Sequence, residues 1–150
     1  MSYYSIIYFS IFLHFFSSQL EFVKFENERV QINSIEGKIE VELFFSIEPG
    51  YHIQAYEKVP DNIIPTTISF TNSDEYQNLK SEFVIQAYDT IILDKTRLKV
   101  ISDGFQVKVL LKPLNTSSEA SRSLKGSLKY QACDNRQCFF PREVNFEVSL

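Results

Sequence analysis

Four stretches of this chain alternate apolar and polar residues with a period of two, and that pattern restricts the fold more than any other feature. In GKIEVELFFSI, the side chains of Ile39, Val41, Leu43, Phe45 and Ile47 point one way while Lys38, Glu40 and Glu42 point the other. That is the period of a half-buried strand. GFQVKVLLKP repeats it with Phe105, Val107, Val109 and Leu111. LKGSLKYQAC does so with Leu124, Leu128, Tyr130 and Ala132, and VNFEVSL with Val144, Phe146, Val148 and Leu150. Weaker strands are expected at Arg29–Asn33, Thr66–Thr71, Glu82–Gln86 and Leu98–Ser102.

Turn residues separate these runs: Glu36-Gly37, Pro49-Gly50, Pro60-Asp61-Asn62, Thr71-Asn72-Ser73-Asp74 and Ser102-Asp103-Gly104. The last lies between two alternating runs and predicts a hairpin. Asn115–Arg122 reads as a polar loop. Outside the N-terminus, only SDEYQNLKSEF has the composition for more than a turn of helix. About eight short strands at this spacing predict an all-β, immunoglobulin-like antiparallel β-sandwich, whose two sheets bury their apolar faces against each other. No repeat or linker divides it, so residues 20–150 are expected to form one domain.

The N-terminus is of another kind. Ile6–Phe16 is almost wholly apolar, too short to span a bilayer comfortably as a helix but suited to the hydrophobic region of an export signal. Residues 1–19 are therefore expected to be a signal peptide, either removed or kept as an anchor, and the domain to be periplasmic or otherwise exported. No later segment reads as transmembrane. The net charge is −4, and no cluster of Lys or Arg forms a basic stripe. Nucleic acid is excluded as a partner on that ground.

The only two cysteines, Cys133 and Cys138, stand close together in KYQACDNRQCFFP. Strand periodicity runs up to Cys133, a new apolar segment starts at Cys138, and four polar residues lie between them. The two cysteines are then the last paired positions of a β-hairpin. Opposed residues in such a pair bring their Cβ atoms to roughly 4.5–5.5 Å, close enough for a disulfide after modest adjustment. Three uses remain open. As a staple, so short a loop contributes only about 2 kcal/mol. As a metal site, one cysteine pair with His52 alone beyond the leader falls short of the usual four ligands. As a redox pair, two thiols at an exposed turn can cycle, with Arg136 favouring a thiolate and Asp134 opposing it.

These residues resemble a known family. YQAC, a four-residue loop, then a cysteine with aromatics and a proline, is similar to the active-site hairpin of the N-terminal periplasmic domain of the DsbD thiol:disulfide interchange proteins. Tyr130, Gln131, Cys133, Cys138, Phe139 and Pro141 carry the match. FFSIEPGYHIQAYEKVPDNIIPTTISF resembles an earlier stretch of the same family, so the likeness runs from about Lys38 to Leu150. The resemblance implies an immunoglobulin-like sandwich that passes reducing equivalents to oxidised extracytoplasmic proteins without a bound cofactor. By position, Cys138 matches the cysteine that forms mixed disulfides and Cys133 its resolving partner. Tyr88 is the candidate for the family's shielding aromatic, with Tyr130 and Phe139 as further cap or binding candidates. Family members continue into a transmembrane electron-transfer domain and a thioredoxin-like domain. A chain ending at Leu150 is therefore expected either to draw on a separately encoded membrane or thioredoxin-like reductant, or to have lost electron transfer and kept the fold.

The alternative is a non-catalytic binding or assembly module whose hairpin disulfide is structural. His52 reads as a solvated or hydrogen-bonded histidine. Asp74, Glu75 and Glu82 read as ordinary loop charges.

Overall fold

A computed structural model of the chain describes residues 21–56, 59–114 and 122–150. The expected signal peptide and most of the expected 115–122 loop lie outside these residues. The described strands are β1 (Val23–Phe25), β2 (Gln31–Ile35), β3 (Lys38–Ile47), β4 (His52–Gln54), β5 (Thr67–Phe70) and β6 (Tyr76–Val84). They continue with β7 (Asp89–Leu93), β8 (Thr96–Ile101), β9 (Phe105–Pro113), β10 (Ser123–Tyr130), β11 (Ala132–Cys133) and β12 (Arg142–Ser149). Among the described residues the helical content is one short 3₁₀ turn, Asn27–Arg29, and no helix is long and apolar enough to cross a membrane.

All pairings are antiparallel, and the chain has the expected β-sandwich architecture. One layer is ordered β1-β3-β9-β6, with β2 also on β3. The other holds β12-β10-β5 and β11-β4-β8-β7, linked where the chain passes from β10 into β11. The four alternating runs supply the core. Val41, Leu43, Phe45, Phe105, Val107, Val109 and Leu111 from the first layer meet Leu124, Leu128, Tyr130, Phe146 and Val148 from the second, all buried. Gly126 interrupts this inward row for a packing reason. It pairs with Phe146, and a Cβ there would sit 2.6 Å from the Phe146 ring. That ring also packs against Phe25, Phe45 and Phe70 at 5.3, 5.9 and 6.0 Å.

Three local expectations are corrected. Ser102-Asp103-Gly104 does not close a hairpin: β8 pairs with β4 and β7, while β9 pairs with β3 and β6. The turn carries the chain from one layer to the other, because turn residues set a bend but not the strand's partner. SDEYQNLKSEF is not helical; most of it forms β6. A register shift between Asn78 and Lys80 breaks the period of two. Tyr76, Leu79 and Phe83 consequently fall at i, i+3 and i+7, which imitates a helical stripe. The strand Asp89–Leu93 was not expected at all. Its hairpin to β8 turns on Asp94 and Lys95, with φ of 46° and 68°. Two positive-φ residues are what a type I′ two-residue hairpin turn requires; Asp94 suits the first position, but Lys95 stands where Gly is usual.

Candidate functional site: a disulfide hairpin at the seam of two sheets

Strand β10 keeps its partners β12 and β5 as far as Tyr130 and Lys129 respectively. At Gln131 the chain leaves them, and Ala132 and Cys133 pair instead with Ile53 and His52 of β4. Gln131 holds this crossing in place. Its carbonyl accepts from the Gln54 N–H at 3.3 Å. Its side-chain Nε2 donates to the Phe139 carbonyl at 3.1 Å, and its Oε1 accepts from the Ile64 N–H at 2.9 Å. One side chain thus ties the outgoing strand to the returning one and to the loop before β5.

Cys133 and Cys138 face each other as an antiparallel pair and are joined by a disulfide. The backbone closes the hairpin independently of the sulfurs. The Phe139 N–H donates to the Ala132 carbonyl at 2.8 Å, and the Asp134 N–H to the Gln137 carbonyl at 2.9 Å. Asp134 Oδ1 accepts from the N–H groups of Arg136 and Gln137 at 2.7 and 2.8 Å. Those two bonds, above all that from Arg136, hold the Asp134 carboxyl below its ordinary range, since they favour the charged form.

The two sulfurs live in different surroundings. Cys133 is fully buried. Cys138 is half-buried and borders a depression of about 300 Å³ that Phe140 and Pro141 also line. Behind the pair stands Gln54, itself fully buried. Its Nε2 lies 3.0 Å from Cys133 Sγ and 4.0 Å from Cys138 Sγ. His52, opposite Cys133, has Nδ1 2.7 Å from Ser102 Oγ.

The other expected site residues fall in three places. Phe139 points inward, its ring 4.7 Å from that of Phe22 and 5.9 Å from that of Tyr51. Tyr130 is a core residue, 1% exposed. Burial pushes its phenol's pKa up, while hydrogen bonds with the backbone of Val23 and Phe22 tie it to β1. It holds the hairpin's base and presents no surface to a partner. Tyr88 precedes β7, at the edge of the four-stranded sheet opposite β11. Its ring packs partly buried against the core, with the Lys99 ammonium 3.8 Å away.

Two residues of the site were not singled out from the sequence. Phe140, next to Phe139, is 90% exposed. A signal for it was present, because adjacent residues of an extended segment point to opposite sides, so one ring of the doublet had to face outward. Gln54 had a weaker signal, a polar residue between Ile53 and Ala55.

The arrangement defines a two-layer immunoglobulin-like sandwich with a disulfide hairpin at the seam of one layer. Among solved structures, the chain is similar to the N-terminal periplasmic domain of ScsB from Proteus mirabilis, with a TM-score of 0.54 and 13% identity over 81% of this chain and 44% of that one. At that identity the likeness establishes the shared fold, and the chain spans less than half the length of the ScsB structure. Other matches are the reduced DsbD N-terminal domain of Neisseria meningitidis, with TM-score 0.44, 16% identity and 80% and 82% of the two chains covered, and the yeast GGA1 GAE domain, with TM-score 0.47, 9% identity and 89% and 95% covered. No protein-family profile and no curated protein sequence matches the chain. The immunoglobulin-like sandwich implied by the hairpin motif is the fold observed.

Proposed function

We propose that this protein is an extracytoplasmic thiol–disulfide exchange domain that passes reducing equivalents through Cys133 and Cys138 to oxidised protein partners. One observation carries the reading: a fully buried sulfur is paired with a half-buried one on a hairpin that the backbone already closes. In the reduced protein, the Cys138 thiolate attacks a partner's disulfide sulfur and forms a mixed disulfide, and the partner's second sulfur leaves as a thiolate. The Cys133 thiolate then attacks Cys138 Sγ, which releases the partner as a dithiol and restores the intramolecular disulfide. Two electrons and two protons pass to the partner in each cycle. A dithiol reductant, itself oxidised to a disulfide, returns the pair to the reduced state.

Exposed Phe140 supports a partner-facing surface beside Cys138, since a solvent-facing aromatic next to a reactive sulfur offers an anchor to an approaching protein. Export fits the same reading, because a disulfide pair persists outside the cytoplasm, and the similar ScsB domain is periplasmic.

Trapping tests the proposal. Cys133→Ser leaves Cys138 able to attack but removes the resolving thiol, so mixed disulfides with exported proteins accumulate on non-reducing gels. Cys138→Ser traps far less. The opposite asymmetry would exchange the two roles. Capture by neither variant would leave the disulfide a staple in a binding or assembly module.

A further inference from the structure

We propose that Gln54 is a positioning residue that biases the Cys133–Cys138 pair toward its reduced, dithiol form. The inference rests on the exchange reading only in giving that bias a use. It starts from the hydrogen-bonding inventory of a buried amide facing a disulfide. A glutamine side chain has two N–H donors and an acceptor oxygen, whereas a disulfide sulfur carries no proton and accepts weakly. In the disulfide form, Gln54 Nε2 is directed at Cys133 Sγ at 3.0 Å. Its Oε1 is buried and has no hydrogen-bond partner among the described residues.

Turning the amide over does not resolve the mismatch. That would set the oxygen against sulfurs with no proton to give and withdraw the NH₂ group from the sulfurs that accept from it. Neither orientation satisfies both ends of the amide while the sulfurs are bonded. Reduction changes the inventory on the sulfur side. Two electrons and two protons from an external dithiol convert the S–S bond into two S–H groups, each a donor as well as an acceptor. The amide can then accept from one thiol and donate to the other, which sits next to it in the same hairpin pair.

An unsatisfied buried acceptor is costly, whereas an apolar group of the same shape in its place can be nearly neutral. Here the cost falls on the oxidised form and is relieved in the reduced one. Gln54 consequently pushes the pair toward donating electrons less readily and holding them longer. A glutamine acting only through packing would affect both forms equally and leave the equilibrium between them unchanged.

The test is to equilibrate the isolated protein with mixtures of reduced and oxidised glutathione and read the reduced fraction by thiol alkylation and mass spectrometry. Gln54→Met keeps the length of the side chain and removes the orphan oxygen. The expected result is an equilibrium constant for disulfide formation raised about tenfold, which for this two-electron couple is a potential about 30 mV more negative. A change under twofold, or a shift toward the dithiol, overturns the proposal. Gln54→Leu is the second variant should the first fold poorly. Urea midpoints of the oxidised and reduced forms give an independent readout: the gap between them should widen in either variant, and an unchanged gap counts against the bias. Because glutathione is the redox partner, this measurement does not depend on capturing any protein. A failed trapping experiment and an unmoved potential are therefore separate outcomes.

Discussion

Exchange requires that the protein stay folded with its sulfurs joined or apart, and this can be tested by removing the disulfide with Cys133→Ala and Cys138→Ala together. The bonded residues are separated by 5 positions, so the ring closed is among the smallest a disulfide makes. Chain-entropy bookkeeping for such a loop gives a loss of about 2 kcal/mol. Removing the sulfur from buried Cys133 leaves a small void, which adds roughly 1 kcal/mol. Set against the stability of about 5–15 kcal/mol that is usual for a domain, the loss leaves the native state dominant. The hairpin retains the Ala132–Phe139 and Asp134–Gln137 backbone bonds and the Gln131 bridge to Ile64 and Phe139. Urea unfolding followed by far-UV circular dichroism should therefore show a lower midpoint with an almost unchanged slope. The wild-type protein reduced with excess dithiothreitol should show a similar but smaller shift. A loss above roughly 4 kcal/mol, or a reduced protein that is unfolded without urea, would refute the reasoning, because the disulfide would then be holding the fold.

Two further outcomes follow from the surface of the hairpin. Phe140→Ser removes a ring that is 90% exposed, so its thermal midpoint should match wild type, while mixed-disulfide formation with protein partners falls about tenfold, the scale of an interface anchor. Exchange with glutathione should be unchanged within about twofold, and equal slowing with both substrates would mean that Phe140 acts on the sulfurs and not on partners. Asp134 predicts the acid side of the stability curve: its carboxyl has a folded-state pKa below the ordinary 3.8 because the Arg136 and Gln137 amides hold its charged form. The stability it contributes is full above that ordinary value and is lost as pH falls through the lower folded value. Asp134→Asn should flatten the decline of urea midpoints on the acid side of pH 3.8, and superimposable curves would remove the role assigned to this carboxylate.

The layers were legible in the sequence wherever a strand buries chiefly one face. Lys38–Ile47, Phe105–Pro113, Ser123–Tyr130 and Arg142–Ser149 are such strands, and their alternation is not overridden by anything local. Legibility fails where a second effect cuts across the period. The bulge in β6 shifts its apolar residues to a helical spacing. The β7–β8 turn places Lys95 after Asp94 where Gly is usual. The crossing at Ser102–Gly104 leads to the other layer, a long-range choice that no short stretch encodes. The same distinction runs through the site. The pairing of Cys133 with Cys138 is local and could be read from spacing, whereas Gln54 reaches Cys133 across 79 positions of sequence, through a strand pairing that only the fold brings about.

The place of the hairpin in the fold explains how one short loop can hold two unlike sulfurs. Had β10 simply continued along β12, Cys133 and Cys138 would occupy equivalent positions of one ladder, with similar exposure. Instead the chain changes partners at Gln131, and β11 lays Cys133 against β4, where Gln54 and His52 already stand. The returning segment does not follow it into that sheet. It pairs with Cys133 at Cys138 alone, turns Phe139 inward against Phe22 and Tyr51, and rejoins β10 at Arg142. The buried sulfur thus belongs to the rigid sheet, and the half-buried sulfur belongs to a connection anchored on both sides but open to solvent. That division matches the demands of exchange, in which one sulfur must reach a partner and the other must wait out of its reach until it resolves the bond. A staple makes no such demand, because two buried sulfurs in equivalent surroundings would serve it as well.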